Sequence, residues 1–361
     1  MEISNQQREA PKWTQKKSTP LDEALKSYTL RRQFRKSSLH RKGWIKLYWR
    51  MLFAARFAKT LSAGIVWALV CSALPAQDLG LKEDTLTWRA EHAKELLKPD
   101  GWLSLVGLEW LHTGDNTVGS AADNKIRLAK GPAHLAVIHL EGETITLNPP
   151  QAGFPQEFLV AGAPAKPQSL RAEGNNDKVA PRMTIETISM YVIRRENRFA
   201  LRIKDSQSPS ITGFHGLKWY PPNPSYRVTA KWIPYFPFKT VTLATLVGTN
   251  YDQPVPGAAE FSLEGKTLRL EPVLEDPTVA KLFFILRDTT SKTTTYGACR
   301  FLYTGFPTNG LDKPGDLILD FNRLENPPCA YTPYATCPLP PQGNRLPIAL
   351  PVGEQRYHES N

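Results

Sequence analysis

The residues best suited to chemistry lie close together near the C-terminus. Six polar residues stand there among prolines and aromatic residues: Asp320, Asn322, Arg323, Asn344, Arg345 and Glu354. Such a segment is expected to be partly buried, and buried polar groups must find partners. One hypothesis is a ligand pocket in which Asp320 or Glu354 acts as an acid or base. Arg300 or Arg323 would then hold an anionic group of the ligand.

The same segment is also typical of a structural network. Asn-Pro and Pro-Pro sequences need fixed backbone turns, which Asn and Asp side chains supply. In this interpretation residues 320–361 form a Pro-rich arm that packs on the β domain. Asp320 or Arg323 would bond to another segment, with Arg300 or Asp288 as the leading partner. The sequence leaves both hypotheses open, and the predicted ligand-binding residues are Arg300, Asp320, Asn322, Arg323, Asn344 and Glu354.

Two of the cysteines are close together in the same segment. Seven residues separate Cys329 from Cys337, and prolines lie on both sides of the pair. In an oxidising compartment this spacing predicts a disulfide, which would contribute roughly 2–3 kcal/mol on the chain-entropy model. A metal or redox pair is the alternative, but the spacing is not CxxC and no histidine is near. The remaining Cys299 is predicted to be a buried thiol.

No motif indicates a metal or a cofactor. The histidines that follow the leader show no ligand spacing such as HExxH: His92, His112, His134, His139, His215 and His358. GxSxG, Walker and GxGxxG sequences are missing as well. We therefore predict no metal site and no cofactor. A serine triad is defined by geometry, so the sequence neither supports nor excludes one.

The positive charge of the chain is concentrated at its N-terminus. The whole sequence has 45 Lys and Arg against 34 Asp and Glu, a formal charge of +11. Residues 1–76 hold 15 of the basic and 4 of the acidic residues, so residues 77–361 are neutral with 30 of each. A nucleic-acid-binding surface needs a basic excess. The sequence therefore predicts no nucleic-acid partner.

The N-terminal region resembles an export signal. Residues 63–74 form an uncharged apolar run, Arg56 and Lys59 precede it, and small residues follow. The run is too short for a stable membrane span, which takes about 20 residues, and has the length of a signal-peptide core. We predict cleavage after Ala76, or else after Ala73, and export to the periplasm or medium. An uncleaved anchor is the alternative, and residues 1–50 are interpreted as a mis-assigned start upstream of Met51.

The rest of the chain reads as one helix followed by short strands. Leu86, Ala90, Ala93 and Leu97 recur at helical spacing, and Pro99 ends that pattern. The strands are predicted at 125–128, 135–140, 144–147, 184–194, 199–204, 226–232, 239–247, 259–263, 266–272 and 281–286. Many short strands separated by Gly and Pro favour a sandwich or barrel.

The predicted fold is mainly β. The N-terminal helix precedes a small β-sandwich, which packs on a second antiparallel β-sandwich or barrel with a Pro-rich C-terminal arm. The predicted boundaries are 1–50 for the extension, 51–76 for the signal peptide, 77–165 for the helix and small sandwich, 166–183 for a linker, 184–319 for the antiparallel β domain and 320–361 for the arm.

Several sequence stretches resemble a known family. They are PDGWLSLVGL at residues 99–108, GDNTVGS at 114–120 and DFNRLENPPCAYTPYATCPLPP at 320–341. Together they resemble the domain-of-unknown-function family 1684 over about residues 85–354. The resemblance implies a bacterial, often exported, β-rich protein with no agreed activity.

A second likeness concerns residues 102–147, whose motif order is similar to that of forkhead-associated domains. Those domains read phosphothreonine through an Arg after a Gly, but Ser120 follows Gly119 here. Because a phosphate reader needs charge-assisted donors, the likeness implies the fold and not the ligand.

These observations leave three functional hypotheses. The first is an exported binding module for a small molecule or glycan, with Trp102, Trp110, Trp219, Tyr220 and Trp232 as candidate contacts. The second is an exported hydrolase that uses carboxylates of the C-terminal motif. The third is a structural protein of the envelope without a ligand. No membrane span is expected after cleavage, and the sequence leaves the oligomeric state open.

Overall fold

A computed structural model describes residues 74–174, 179–276 and 278–357. Apart from residues 278–279, the described residues belong to one compact unit. Residues 1–50, the apolar run as far as residue 73, and His358 lie outside the described part, so the leader predictions remain predictions. In the described residues no helix is both long and apolar enough to cross a membrane.

Helix α1 spans Leu74–Leu96, which is longer than the predicted helix. Its buried face differs from the expected one. Leu86 and Leu97 of the predicted apolar stripe are exposed, whereas Thr85 and Arg89 are buried. The helix therefore turns polar side chains toward the protein, where the Arg89 guanidinium lies over the Trp219 ring, 4.6 Å from its centre.

The described residues after α1 form one more short helix, α2 at Pro209–Thr212, and 17 strands. The strands of the first half are β1 Leu105–Trp110, β2 Gly114–Gly119, β3 Ile126–Arg127, β4 Ala136–Glu141, β5 Thr144–Asn148, β6 Leu159–Val160, β7 Ala163–Pro164, β8 Gln168–Leu170, β9 Met183–Ile185, β10 Ile188–Arg195 and β11 Arg198–Asp205. Those of the second half are β12 Arg227–Ala244, β13 Asn250–Leu263, β14 Lys266–Leu270, β15 Leu282–Leu286, β16 Arg300–Thr304 and β17 Gly315–Asp320.

Two sheets of the first half enclose a large apolar core. The five-stranded sheet has the order β3-β2-β4-β5-β8, and the six-stranded sheet has the order β1-β11-β10-β9-β6-β7. Leu135, Leu147 and Phe158 meet Met190 and Leu201 in the core between them. Since side chains alternate along a strand, β11 places Phe199, Leu201 and Ile203 in this core and Arg202 on the opposite face of the sheet.

The second half contains a four-stranded sheet, β14-β13-β12-β17, and a two-stranded sheet, β15-β16. Trp232 on β12 is almost completely buried, and its indole nitrogen donates to the Leu311 carbonyl at 3.0 Å. Gly257 lies on the neighbouring strand β13, where a Cβ atom would clash with the Trp232 ring. Glycine is therefore required there, and Trp232 is a core residue that no ligand can reach.

The prediction of a mainly β fold is confirmed. The described sheets are almost entirely antiparallel, and none of them closes into a barrel. The domain boundaries and the forkhead-associated likeness remain predictions. The six-stranded sheet combines β1 and β6 with β9, β10 and β11, so it joins strands from both sides of residues 166–182.

Candidate functional site

The predicted site residue Glu354 lies at the centre of a buried hydrogen-bond network. Its side chain is inaccessible to solvent. It accepts from the backbone and side-chain amides of Asn326 at 2.8 Å and from the Tyr331 hydroxyl at 2.7 Å. His92 of α1 reaches the same carboxylate, with Nε2 at 3.5 Å from Oε2. These contacts join the C-terminal arm to α1.

Arg300 pairs with Asp288 and not with the arm carboxylates. Its guanidinium bonds to the Asp288 carboxylate and donates to the Val352 carbonyl at 2.6 Å and the Leu350 carbonyl at 3.0 Å. Both charged side chains are only 1% exposed. This ion pair fixes the end of the arm to strand β16.

Asp320 and Arg323 also bond to other segments, but not to the partners expected from the sequence. Asp320 accepts from Arg227 of β12 at 3.0 Å, and Arg323 pairs with Asp84 of α1. The expected partners, Arg300 and Asp288, are occupied with each other. The reason is that antiparallel pairing sets Arg227 directly opposite Asp320.

The two asparagines of the predicted site hold backbone segments together. Asn322 accepts from the Asn223 amide at 2.7 Å and donates to its carbonyl at 2.9 Å. Asn344 likewise accepts from the Glu271 amide at 2.9 Å and donates to the Glu271 carbonyl at 2.8 Å. It also donates to the Ile285 carbonyl. The predicted residues therefore occupy separate places and bond to the protein itself. Their ligand-binding role remains a prediction, and the contacts favour the network interpretation.

A cavity of about 320 Å³ lies between the six-stranded sheet and the second half of the chain. Its polar and charged lining comes from α1, β10, β11, β13, the β14–β15 connection and the arm: His92, Arg195, Arg202, Gln253, Glu275, Glu325, Asn326 and Thr336. The aromatic lining consists of Trp102, Tyr251, Phe283, Phe301, Tyr303 and Tyr331. The cavity has the size of a small-molecule site, and it includes none of the six predicted ligand-binding residues.

The cationic wall of this cavity comes from β10 and β11. Arg202 is 4% exposed, and its Nη1 donates to the Tyr191 hydroxyl at 3.2 Å, while its Nε has no partner. Arg195 donates from Nε to the Thr336 hydroxyl at 3.2 Å. Burial, and after it the charge of Arg202, lowers the pKa of Arg195. The charge of Arg202 thus disfavours the charged form of Arg195.

The aromatic wall contains a stacked pair. The rings of Phe283 and Tyr303 lie 4.6 Å apart and almost parallel, and Phe301 meets Phe283 edge-on at 4.7 Å. Tyr303 is 41% exposed, so part of its surface is open. Facing strands β15 and β16 hold the three rings in register. Such a surface offers flat apolar contact to a ligand ring.

The third wall carries an acid and an imidazole. Nδ1 of His92 lies 3.3 Å from Oε2 of Glu325. Burial raises the pKa of Glu325 to about 7, against the opposing charge of His92, with Glu354 adding to the rise. Burial alone would lower the pKa of His92, but the hydrogen bond to Glu354 and the charges of Glu325 and Glu354 raise it. Glu325 therefore exchanges a proton near neutral pH, as an acid–base group requires.

We predict that stability falls as the pH rises from about 4.5 to above 7. A carboxyl group with a raised pKa binds its proton more tightly in the folded state, and so does a histidine with a raised pKa. Both contributions are therefore complete at low pH and lost on the alkaline side. For Glu325 the usual value is 4.5 and the folded value about 7, which corresponds to roughly 3 kcal/mol.

Urea unfolding across this pH range measures the effect. Glu325→Gln should reduce the slope of the pH profile, and the contributions of His92 and of Glu275, whose pKa burial also raises to about 7, should remain. The exposed control Glu157→Gln should leave the profile unchanged. Superimposable profiles for Glu325→Gln and the unaltered protein would contradict the prediction.

The cysteine pair lies beside the cavity. The Cys329 amide donates to Sγ of Cys337 at 3.1 Å, both thiols are free, and Cys337 lines the cavity. The hydrogen bond from the Cys337 thiol lowers the pKa of Cys329, and burial raises the pKa of Cys299. The predicted disulfide therefore remains a prediction, which non-reducing peptide mapping tests.

Among the described residues no cluster of histidine, cysteine and acidic side chains could hold a metal.

The sequence analysis named Trp102 but missed the polar residues that line this cavity. His92 had no ligand spacing, and Glu325 was not singled out within its motif. Arg202 and Lys204 alternate with the apolar residues of β11, which is a signal for a charged face. That pattern normally indicates exposure to solvent. Here the second half of the chain covers the face, and long-range packing of this kind leaves no local signal.

The fold and the cavity define a mainly β protein with a polar and aromatic pocket. The family resemblance is confirmed for residues 212–355, which match the family described as Protein of unknown function (DUF1684). A solution NMR structure of an uncharacterized protein of Haloarcula marismortui is 27% identical. That alignment covers 41% of this chain and 83% of that chain, with a TM-score of 0.36. No curated protein matches the chain.

Proposed function

We propose that this protein binds a small molecule in the cavity and acts as an exported binding module of the cell envelope. The observation that carries the proposal is a set of buried polar atoms on cavity residues that have no hydrogen-bond partner in the protein. They include Nε of Arg202, Oε1 of Gln253 and Oδ1 of Asn326. Buried polar atoms require partners, and a ligand in the cavity could supply them. A protein without a ligand would be expected to fill or pair this space.

The aromatic lining supports the same proposal. Trp102, one of the aromatic residues expected to contact a ligand, lines the cavity. The stacked Tyr303 adds a partly open ring. Sugars, aromatic metabolites and other flat ligands all pack against such rings. The lining therefore fits a small molecule or a short glycan.

A thermal-shift screen of the full chain against metabolites, glycans and metal ions tests the proposal. A ligand at 100 times its dissociation constant should stabilise the protein by about 2.7 kcal/mol. Tyr303→Ala should weaken binding of such a ligand by about tenfold, since an aromatic contact contributes about 0.5–1.5 kcal/mol beyond buried area. Tyr334→Ala is the matched control, because Tyr334 is 36% exposed and lies outside the cavity lining. Equal affinities of the two variants would exclude this cavity as the site.

An exported hydrolase is the second candidate, and Glu325 is the observation that favours it. This carboxyl group lies in the C-terminal motif, lines the cavity and has a pKa near 7. It could take a proton from a water molecule and return it to a leaving group, with His92 holding it in place. Turnover of a ligand found in the screen, lost in Glu325→Gln while binding persists, would favour the enzyme over the binder.

The export part of the proposal rests on the charged, apolar and small residues of 56–76. N-terminal sequencing of protein from the periplasm or medium should find Gln77 first. Residues 1–50 on that protein would contradict it.

A further inference from the structure

Two arginines of the cavity wall lack acidic partners. Among the described residues no carboxylate lies within 4.0 Å of Arg195 or Arg202. The buried Arg300 is different, because Asp288 neutralises it. Buried charges in proteins are normally paired. Arg202, which is buried, therefore lacks the usual ionic partner, and the half-buried Arg195 lies beside it on β10.

The surroundings increase the positive charge on this wall. Lys204 follows Arg202 by two residues, on the same face of β11 and also buried. Burial, and after it the charge of Arg202, lowers the pKa of Lys204 to about 8. The neighbouring acid Glu173 is taken by Arg182, at 3.2 Å. An anion beside these groups would reduce their mutual repulsion.

The contacts of Arg202 leave it ready to bind. Its guanidinium lies 5.6 Å from the centre of the Trp102 ring and 5.7 Å from that of Tyr191, which hold its plane without neutralising it. Its Nε donor has no acceptor. Planar guanidinium groups bind carboxylates and phosphates through two parallel hydrogen bonds.

We infer that the cavity takes an anionic ligand, whose carboxylate or phosphate group is bound by Arg195 and Arg202 while its apolar part lies against the aromatic wall. The inference rests on the proposed binding function and names its ligand class. Glu325 and His92 line another part of the cavity. The anionic group is therefore directed to the β10–β11 wall.

Matched pairs of small compounds test the charge requirement by calorimetric titration of the full chain. Benzoate is compared with its neutral isostere benzamide, and phenyl phosphate with phenol. At least one anion should bind about tenfold or more tightly than its neutral partner. The stronger anion distinguishes a carboxylate ligand from a phosphate ligand. Its affinity should fall when the salt concentration rises from about 20 to about 500 mM.

Arg202→Gln should weaken binding of the anion about tenfold or more. It should not lower the melting temperature, because it removes an unpaired buried charge. Arg195→Gln should weaken binding of the anion as well. Arg198→Gln is the control, since Arg198 lies on β11 but is exposed and outside the cavity lining. Its effect should be less than about twofold.

Equal affinities within each pair of compounds, or no binding of either anion, would overturn the inference. If neutral compounds of the thermal-shift screen still bind and Tyr303→Ala weakens them, the binding function stands and only the ligand class is wrong. If no compound of the thermal-shift screen binds, the proposed binding function and the proposed ligand class are both wrong. If the Arg202→Gln variant does not fold, Arg195→Gln and the salt dependence still test the inference. An anion affinity that changes neither in Arg195→Gln nor with salt concentration would also overturn it.

Discussion

Asp288→Ala should lower the free energy of unfolding by about 3–5 kcal/mol, as expected when one partner of a buried ion pair is removed. The Asp288 carboxylate accepts from Arg300, from the Leu350 amide at 3.1 Å and from both donors of Thr290 at 2.9 and 2.6 Å. Without it the Arg300 guanidinium stays buried with carbonyl oxygens only. Urea unfolding followed by tryptophan fluorescence measures the loss, with similar m-values for the two proteins.

The control for this prediction is an exposed ion pair of similar geometry. Lys231 and Asp316 lie 2.7 Å apart, with side chains 76% and 49% exposed. Asp316→Ala should cost at most about 1 kcal/mol. The double variant Asp288→Leu with Arg300→Met should recover much of the lost stability, because apolar replacements of a buried pair are often tolerated. Equal losses for Asp288→Ala and Asp316→Ala would contradict the prediction.

Ending the chain after Leu319 should abolish cooperative unfolding. The arm buries seven large apolar side chains, Phe321, Leu324, Tyr331, Leu346, Ile348, Leu350 and Val352. Each contributes roughly 1.5–3 kcal/mol when buried, and a whole domain is stable by only about 5–15 kcal/mol. The truncation also removes Asn344 and Glu354, which bond to other segments. Calorimetry of the truncated and full chains compares the two transitions.

A single substitution tests the same packing in a chain of full length. Phe321 is fully buried, with its ring 5.5 Å from that of Phe261 on β13. Phe321→Ala should cost about 3–5 kcal/mol. Ile318→Ala, at a position of β17 that is 44% exposed, is the control and should cost far less. A truncated chain that melts at the temperature of the full chain would make the arm an appendage.

Most strands were predictable because their signal is local. Alternating apolar residues and flanking Gly or Pro predicted segments that overlap β3, β4, β5 and β9 to β15. Strands β1 and β2 were missed, since Gly107, Gly114 and Asp115 interrupt their patterns. Strands β6, β7, β8, β16 and β17 were also missed. Whether a segment forms a strand is thus set mainly by its neighbours in sequence. The strands without a local signal form because they pair with distant strands.

The candidate site was less predictable than the fold. The C-terminal motif contained Glu325 and Asn326, which line the cavity, but the residues chosen from it hold the arm in place. Polarity and aromatic content indicate that a segment is partly buried, yet they do not say whether its partners are protein or ligand. The Arg202 pattern likewise indicated a polar face and could not say what covers it.

The sequence by itself determined the β-rich class, the neutral charge of residues 77–361 and the resemblance to the family, because composition and local periodicity carry this information. Only the tertiary structure decided that Arg195 and Arg202 share a cavity with Tyr303 and Glu325, which are more than 100 residues further along the chain. The same holds for His92 of α1, which lies beside the carboxylates of Glu325 and Glu354. Burial of a charge depends on which distant segment covers it, and the long-range packing that brings those segments together has no signature in the spacing of neighbouring residues.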